Sequence, residues 1–396
     1  MTDPRDVVIL GAARTAIGKF QGTLAGTPAP RLGAVAIRAA VERAGVEPAA
    51  TDEVLMGCVV QAGLGQAPAR QAAIFAGIPD TVGATTINKV CGSGLKAVML
   101  AAAMIRAGDG EQYIAGGMES MNRAPYLLHD ARFGYRLGDG ALKDGLIEDG
   151  LWCAFENQHM GNAAEWVARR YGLTRAELDQ YAYESQMKAM NAIRAGAFGA
   201  EIAPVEIPQR KGSPQLFAVD EAPRPDTTLE ALAKLKPAFQ ADGMVTAGNA
   251  PGITDGAAAV VVTSRARAQA LGRAALARVA GYAQAAVKPL EIFTAPAFAI
   301  RRLLAETKTT LADYDLFEIN EAFAAQVLAN GRELGLDWSK VNVNGGAIAL
   351  GHPIGASGAR CLVTLIHALR SRGLRRGIAA LCLGGGEAVA LSVEIE

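Results

Sequence analysis

The chain has 396 residues, 51% of them hydrophobic, which is enough for two or three domains with large cores. Lys and Arg together number 39, as do Asp and Glu, and this balance argues against a nucleic-acid partner, which normally leaves a basic footprint. The five cysteines are odd in number and widely spaced, and no C-x-x-C pair or H-E-x-x-H string occurs, which argues against a disulfide framework and a metal site.

Short apolar runs alternate with helical patterns through the first 120 residues. Strands are predicted at residues 7–10, 54–60 and 85–90 and from Tyr113 onward, and helices at residues 31–44 and 94–107. Such alternation favours mostly parallel sheets that helices cover on both faces, and hence an α/β fold.

The C-terminal part repeats this plan. A similar helical pattern occupies residues 29–44 and 295–306, and each copy is followed by a strand-like run. A second similarity joins C-G-S-G-L-K-A-V-M-L (91–100) with G-A-S-G-A-R-C-L-V-T (355–364), and both strings enter long predicted helices that lead to a strand ending in glycines. We interpret the pattern as an internal duplication of one α/β unit.

The residues between these two parts look different, because they show no regular alternation of strands and helices. They are predicted to form an insertion that serves as a lid or a binding domain, and the strand-like residues 257–263 are predicted to return the chain to the first unit. The predicted organisation is an N-terminal half of residues 1–122 and 253–275, an inserted loop domain of residues 123–252, and a C-terminal half of residues 276–396.

The first motif that carries chemistry is N-K-V-C-G-S-G-L-K-A (88–97), which places Cys91 between a predicted strand and a predicted helix. The helix dipole and free N–H groups at such a position lower a thiol pKa and can hold an oxyanion, so Cys91 is a candidate nucleophile. An isolated cysteine in a tight turn is also typical of a small core residue. Residues 92–97 fit the dinucleotide-binding pattern G-x-G-x-x-A as well, but that pattern usually follows the first strand of a fold.

Three further strings place polar side chains next to predicted strands or in glycine-rich loops. His352 lies in G-G-A-I-A-L-G-H-P-I-G-A-S-G-A-R (345–360), where it is either a base or oxyanion donor or a loop histidine with ordinary partners. Cys382 ends the last strand of the second repeat in C-L-G-G-G-E-A, and Asn320, in E-I-N-E-A-F-A, either caps a helix or orients a water. Ligands of open α/β sheets collect at the carboxyl ends of strands, so these side chains are expected to share a pocket.

Together the four strings resemble the thiolase family, at matching places along essentially the whole chain. The resemblance implies a duplicated five-layer α-β-α-β-α core with an inserted loop domain. It also implies that Cys91 is the nucleophile that accepts an acyl group from a coenzyme A thioester, that His352 activates it, and that Cys382 is the base toward the second acyl-CoA. Asn320 would hold a water that forms one oxyanion hole with His352, and the N–H groups of Cys91 and Gly384 would form the other.

The resemblance further implies contacts with the thioester. His159 and Met160 match an H-M-G string that lies against the pantetheine and acyl group in short-chain biosynthetic members, although an ordinary helix start there is the alternative. Arg224 matches a residue that contacts the nucleotide. The other implied substrate contacts are Phe239, Ala247, Pro251 and Phe323. No permanently bound cofactor and no metal are implied, only coenzyme A thioesters as substrates.

The chain departs from the family pattern at two places that bear on substrate. Pro251 stands where the pantetheine-binding loop commonly carries serine, so a hydroxyl and an N–H donor are lost. Ile292 and Phe293 stand in I-F-T-A-P (292–296), where acetoacetyl-CoA thiolases carry M-G-T-G-P. Both changes are expected to alter the contacts of the acyl group and its arm.

The predicted reaction is the reversible condensation of two acetyl-CoA to acetoacetyl-CoA and CoA through an acetyl-cysteine. A degradative 3-ketoacyl-CoA thiolase of broader chain length is the main alternative. Decarboxylating condensing enzymes share the fold but typically use Cys-His-His or Cys-His-Asn, so Cys382 argues against them. A non-catalytic carrier of acyl-CoA or lipid is disfavoured because all four catalytic positions are filled.

Assembly and location are also predicted. R-A-P-Y-L-L-H-D-A-R-F-G (123–134) matches the place where tetrameric thiolases carry a tetramer-forming loop, so a homotetramer, a dimer of dimers, is expected. The cysteines are expected to be reduced, as is usual in the cytoplasm. The first ten residues do not resemble a signal peptide, and no run of 18 apolar residues lacks a charge, so no membrane span is expected.

Overall fold

The computed structural model describes residues 5–396 as a mixed α/β protein built on one long sheet. In chain order the long strands are β1 Val7–Thr15, β2 Glu53–Gly57, β3 Gly83–Ile87, β4 Gln112–Ser120, β5 Thr254–Ser264, β6 Ala277–Ala286, β7 Leu316–Ile319, β8 Arg376–Leu383 and β9 Glu387–Ile395. Across the sheet they run in the order β7-β8-β9-β6-β1-β5-β4-β2-β3. Strands β1 to β5 therefore form one half of the sheet and strands β6 to β9 form the other.

Helices cover this sheet on both faces. The longer ones are α1 Ala29–Ala44, α2 Pro68–Ala76, α3 Ser93–Ala107, α4 Met160–Arg170, α5 Arg175–Arg194, α6 Ala295–Thr307, α7 Ala324–Leu334 and α8 Ser357–Ser371, and shorter ones are Leu229–Ala233, Arg265–Ala270 and Ala347–Leu350. Helix α5 begins with a capping box in which Thr174 and Glu177 each bond the backbone N–H of the other. Helices α1, α2, α3 and α7 each end at a glycine with a left-handed φ, which glycine adopts without strain.

Short strands complete the structure. Gly18–Lys19 pairs with β5 and Ile202–Ala203 pairs with β1, whereas Tyr126–Leu127 with Lys143–Asp144, Trp152–Cys153 with Gln158–His159, and Val205–Ile207 with Gln215–Phe217 form separate two-stranded ribbons. All three ribbons lie in the region between β4 and β5, where the sequence shows no regular alternation.

The expectation of mostly parallel strands was wrong. Strands β1, β5, β6 and β9 pair antiparallel with their neighbours in the middle of the sheet, and β8 pairs antiparallel with β9. Parallel pairing of the long strands is limited to β2 with β3 and β4, and β7 with β8. For β8 and β9 the reason is the length of the connection, because residues 384–386 are long enough for a hairpin but too short for a parallel crossover.

Alternate residues of the strands face different helical layers. On β5, Val260 faces the central helices α3 and α8, whereas Val261 faces α1 and α2. On β8, Leu381 faces the central helices, whereas Cys382 faces the outer helices α6 and α7. The structure therefore has five layers. In order, they are helices α1 and α2, strands β1 to β5, helices α3 and α8, strands β6 to β9, and helices α6 and α7. This arrangement confirms the predicted five-layer α-β-α-β-α core.

Helix α3 is the most apolar of the central elements. The segment Val90–Ala107, which contains it, is long and apolar enough to cross a membrane by length and composition alone, with a mean hydropathy of 1.4. In the structure α3 packs in the central layer between the two halves of the sheet. Burial on more than one side accounts for this composition, since a helix inside a large core needs few polar residues.

The region between β4 and β5 is attached to both halves by buried polar contacts. The Arg14 guanidinium on β1 lies 2.5 Å from Glu201 and 2.7 Å from Asp220, and all three side chains are buried. Burial acts to lower the pKa of Arg14, but the two carboxylates outweigh it and raise this pKa. On the other half, Glu321 accepts a hydrogen bond of 2.9 Å from the Tyr181 hydroxyl. The three-part domain division itself stays a prediction.

Candidate active site

A mostly apolar cavity lies beside the ends of β3 and β8, with a volume of about 730 Å³ including its open mouth. Four of the predicted catalytic residues line it, namely Cys91, His352, Cys382 and Gly384. Five of the predicted substrate contacts line it as well, namely His159, Met160, Phe239, Pro251 and Phe323. Residues from three distant parts of the chain therefore meet at one place.

Cys91 lies in the tight turn between β3 and α3. The preceding residue, Val90, has a φ of 45°, a left-handed value that is strained for a β-branched side chain and typical of functional turns. The Ser93 hydroxyl fastens this turn, because it accepts from the Lys89 N–H at 2.8 Å and donates to the Val90 carbonyl at 2.6 Å. A Cβ on Gly92 would lie 2.1 Å from the Leu383 side chain, so the glycine lets the turn approach the end of β8.

Burial and, to a smaller extent, the charge of Glu119 raise the pKa of the Cys91 thiol to about 12. The backbone N–H groups of Cys91 and Gly384 bond the sulfur and act in the opposite direction. The prediction of a lowered thiol pKa was therefore wrong for the protein without substrate, because loss of water in an apolar cavity outweighs the helix terminus. The two N–H groups at the sulfur are those predicted to bind an oxyanion.

His352 follows a short helix, Ala347–Leu350, in a loop packed against the N-terminal half. Its Nδ1 lies 2.5 Å from the Ser357 Oγ, and the Ser357 hydroxyl donates to the Pro353 carbonyl at 2.9 Å. The Ser357 oxygen then accepts from the Nδ1–H, which leaves Nε2 as the unprotonated ring nitrogen. Burial and, to a smaller extent, the nearby Arg360 charge lower the pKa of His352 to about 3, so the neutral imidazole is a proton acceptor at physiological pH.

Asn320 lies behind His352 and does not itself line the cavity. Its side-chain nitrogen is 3.5 Å from both ring nitrogens of His352, and it is fully buried. The alternative role of a helix cap is not what the structure contains, because Phe323 is the N-cap residue of α7. Asn320 thus contacts the imidazole from behind, and its role in holding a water stays a prediction.

Cys382 is the penultimate residue of β8 and is buried on the cavity side of the sheet. Burial raises the pKa of this thiol well above its ordinary value, and the Cys91 charge raises it further. The two sulfurs are therefore close enough to influence each other, and both are thiols in the protein without substrate. A thiol with a raised pKa gives, once ionised, a strongly basic thiolate.

Aromatic rings form one wall of the cavity. The His159 ring stacks on Phe239 with a centroid distance of 4.7 Å, and Phe323 meets the rings of Phe239 and Phe293 edge-on at 6.2 Å and 5.3 Å. His159 also caps α4, because its Nδ1 accepts from the Gly161 N–H at 3.0 Å. The two alternatives for the H-M-G string are therefore both present, a helix start and a cavity wall.

Two predicted contacts lie outside the cavity. The Arg224 side chain is exposed, and its backbone N–H donates to the Gln186 side chain at 2.9 Å. Ala247 is exposed as well. Pro251 does line the cavity, as do Ile292 and Phe293, so both departures from the family pattern fall at the cavity wall. The roles of Arg224 and Ala247 in binding stay predictions.

Sequence analysis missed two buried polar residues beside the site, Ser357 and Glu119. Glu119 is fully buried and lies near the end of β4. Each had a signal that went unused: Glu119 is a charge at the end of an otherwise uncharged strand, and Ser357 stands in the same glycine-rich string as His352. Within residues 5–396, no group of three or more His, Cys, Asp or Glu side chains is placed to hold a metal ion.

Comparison with known proteins gives matches over nearly the full length. The family models "Thiolase, N-terminal domain" and "Thiolase, C-terminal domain" match residues 7–266 and 273–395. The acetyl-CoA acetyltransferases of Pseudomonas aeruginosa and Cupriavidus necator are each 57% identical over 389 residues, which cover 98% of this chain and 99% of the relative. The crystal structure of the Bacillus anthracis acetyl-CoA acetyltransferase matches with a TM-score of 0.97 and 46% identity, covering 99% of both chains.

Proposed function

The chain belongs to the thiolase family, as its four strings predict, and we propose that it is an acetyl-CoA acetyltransferase. The reaction is the reversible condensation of two acetyl-CoA to acetoacetyl-CoA and CoA through an acetyl group on Cys91. The observation that carries the proposal is the meeting of Cys91, His352, Cys382 and Gly384 in one apolar cavity. Because the relatives from Pseudomonas aeruginosa and Cupriavidus necator, each 57% identical, bear this name, the broader degradative thiolase is not favoured.

In the first half of the reaction, Cys91 attacks the carbonyl carbon of acetyl-CoA. Both the thiol and the imidazole are neutral beforehand, so Nε2 of His352 accepts the thiol proton as the sulfur attacks. The N–H groups of Cys91 and Gly384 stabilise the negative oxygen of the tetrahedral intermediate. The bond to the CoA sulfur then breaks, and the departing thiolate takes the proton of Cys382, so Cys382 becomes a thiolate and His352 keeps the proton from Cys91 on Nε2.

In the second half, the Cys382 thiolate removes an α-proton from a second acetyl-CoA. The raised pKa of Cys382 makes that thiolate a strong base, which suits a weakly acidic carbon. The protonated Nε2 of His352 and a water held by Asn320 donate hydrogen bonds to the enolate oxygen and stabilise it. The enolate carbon attacks the acetyl group, acetoacetyl-CoA is released, and the Cys91 thiolate recovers its proton from His352, while Cys382 keeps the α-proton.

The cavity wall supports a small acyl group. We place the acetyl group against Ile292 and Phe293, which are both buried and line the cavity. The pantetheine arm passes His159, Met160 and Pro251, where apolar contact replaces the hydroxyl of the usual serine. Coenzyme A thioesters are the substrates, and no permanently bound cofactor takes part.

We further propose that the enzyme is a cytoplasmic homotetramer. Support for the assembly comes from residues 126–142, which carry several exposed large apolar side chains, namely Tyr126, Leu128, Phe133, Tyr135, Leu137 and Leu142. Contiguous apolar surface of this kind usually marks a protein interface. Support for the location comes from the five free cysteines, which are typical of a reducing compartment.

Two measurements test the proposed function. After brief exposure to acetyl-CoA, mass spectrometry of the digested protein is expected to find an acetyl group on Cys91, also in a Cys153→Ser variant but not in a Cys91→Ser variant. Thiolysis of acetoacetyl-CoA is expected to be faster than thiolysis of 3-ketooctanoyl-CoA. An unmodified Cys91, or a preference for the longer chain, would contradict the proposal.

A further inference from the structure

Glu119 is a buried carboxylate that bonds two loops at once. Its Oε2 accepts from the Val59 N–H at 3.0 Å and from the Gly355 N–H at 2.8 Å, and its Oε1 accepts from the Val60 N–H at 3.1 Å. The Cys58 sulfur lies 3.7 Å from Oε1. The Glu119 side chain that accepts these bonds has no exposed surface. Its carboxylate is therefore fully used in holding the two loops together, and we call this place the junction.

The two loops bonded by Glu119 both lie next to the groups that are proposed to react. Gly355 is three residues after His352, and the intervening Ile354 lines the cavity. Val59 and Val60 pack with Ile354 in one small apolar cluster, against which Cys91 lies. Glu119 therefore sits behind the cavity wall and ties the loop of the base to the wall beside the nucleophile.

Two glycines at this junction show how closely the backbone of the His352 loop packs against Glu119 and β4. A Cβ on Gly355 would lie 2.8 Å from the Glu119 carboxylate, and a Cβ on Gly117 would lie 2.0 Å from the Gly355 carbonyl. At these distances the His352 loop cannot move closer to β4. The position of His352 is accordingly set by backbone packing on one side and by the Glu119 bond on the other.

Electrostatics connects the same carboxylate to the nucleophile. The Glu119 charge raises the pKa of Cys91, and burial raises the pKa of Glu119 itself to about 7. The groups that face Glu119 are Cys58 and Cys91 together with the three backbone N–H donors, and the structure gives it no cation as partner. Its charge therefore acts on the cavity without a neutralising neighbour.

Building on the function proposed above, we propose that Glu119 is a positioning residue of the thiolase reaction. It holds the His352 loop in the position that faces Cys91, and its negative charge adds to burial in favouring the Cys91 thiol before substrate binds. It touches neither substrate nor the reacting atoms, and it acts only through the Gly355 N–H and through its charge.

The test compares Glu119→Gln with Glu119→Asp in the full-length enzyme. The amide in Glu119→Gln keeps the size but has one acceptor oxygen, so at least one backbone N–H loses its partner and faces an NH₂ group. A displaced base costs up to roughly 100-fold in rate, so we expect kcat to fall about that much while KM changes less than about 3-fold. Glu119→Asp keeps the charge but loses reach, so kcat is expected to fall as well.

The pH profile separates positioning from a merely structural role. Alkylation of Cys91 by iodoacetamide is expected to begin at lower pH in Glu119→Gln than in wild type, and at unchanged pH in Glu119→Asp, which retains the charge. A matched control is Glu165→Gln, which removes another buried carboxylate bonded to backbone N–H groups, those of Met244 and Val245, away from Cys91. This control is expected to leave the alkylation profile unchanged.

Circular dichroism and binding of CoA establish that the variants are folded before kinetics are compared. A folded Glu119→Gln enzyme with wild-type kcat and a wild-type alkylation profile would overturn the inference and leave the proposed function standing. If the variants fail to fold, the alkylation profile of the wild type decides: a Cys91 that ionises below pH 8 in the free enzyme contradicts the role given to the charge. Loss of acetylation at Cys91 in the wild type would instead contradict the proposed function.

Discussion

Phe293 shows how a single side chain limits what the cavity accepts. The ring is buried, lines the cavity and meets Phe323 edge-on at 5.3 Å. Its sequence context departs from the M-G-T-G-P pattern of acetoacetyl-CoA thiolases, which places a smaller residue at this position. An aromatic ring there fills space that a longer acyl chain needs, so the departure supports short-chain specificity.

We predict that Phe293→Ala widens the range of substrates. A methylene fitted into an apolar pocket is worth about 1–3 kcal/mol, so the rate on 3-ketohexanoyl-CoA relative to acetoacetyl-CoA is expected to rise by at least about 10-fold. Removal of a buried ring is also expected to cost about 3–5 kcal/mol of stability. The control is Phe298→Ala in the nearby helix α6, where the side chain is 45% exposed and outside the cavity. An unchanged ratio in a folded Phe293→Ala enzyme would refute the prediction.

Strand β4 and the loop of His352 are the two elements whose contact depends most on glycine. Gly117 lies on β4 against the Gly355 carbonyl, and Gly57 at the end of β2 faces the same carbonyl at 2.8 Å from a built Cβ. Neither position requires a left-handed φ, so glycine is needed there for space rather than for backbone freedom. The loop carrying His352 is therefore packed directly on the sheet of the other half.

We expect Gly117→Ala to separate these elements. The added methyl has no room against backbone atoms, which typically costs about 1–3 kcal/mol of stability, and displacement of His352 is expected to lower kcat by roughly 100-fold. Gly83→Ala on β3 is the matched control, because a Cβ there would find only the Glu53 side chain at 3.8 Å. Thermal unfolding measures the stability of each variant, and steady-state thiolysis measures its kcat. Equal stability and equal kcat in the two variants would argue against close packing of the His352 loop on β4.

The whole molecule leaves an apolar arm uncovered. Residues 126–142 form it, and its tip residues Phe133 and Leu137 are 86% and 100% exposed. Within residues 5–396 of a single chain these side chains stay uncovered, and burial against a second copy in the tetramer proposed above would account for them. The arm lies in the region that the sequence comparison with tetrameric thiolases singles out.

We predict that Leu137→Asp dissociates the tetramer into dimers. A charge buried in an apolar interface without a partner costs more than the interface gains there. Sedimentation velocity measures the mass, and Leu216→Asp is the control, since Leu216 is 61% exposed in a different ribbon of the same region. A Leu137→Asp protein that still sediments as a tetramer would show that the arm is not the contact between dimers.

Much of the fold followed from sequence because local patterns report local structure. Helices were predicted at 31–44 and 94–107, and α1 and α3 span Ala29–Ala44 and Ser93–Ala107. The hydrophobic period and the terminal glycines fix such elements without reference to the rest of the chain. The direction of strand pairing was missed because it depends on connections between elements, and alternation alone does not encode it.

The sequence by itself determined the family and the five-layer core, through the resemblance of four short strings to the thiolases, and it predicted Cys91, His352 and Cys382 as the reacting side chains. Only the tertiary structure decided their ionisation and their supports. The raised pKa of Cys91 comes from loss of water in a cavity whose walls arrive from distant parts of the chain. The bond from Gly355 to Glu119 spans 236 residues. The pKa of Cys91 and the hydrogen bond between Gly355 and Glu119 both depend on residues that are far apart in the sequence and meet only after the chain has folded.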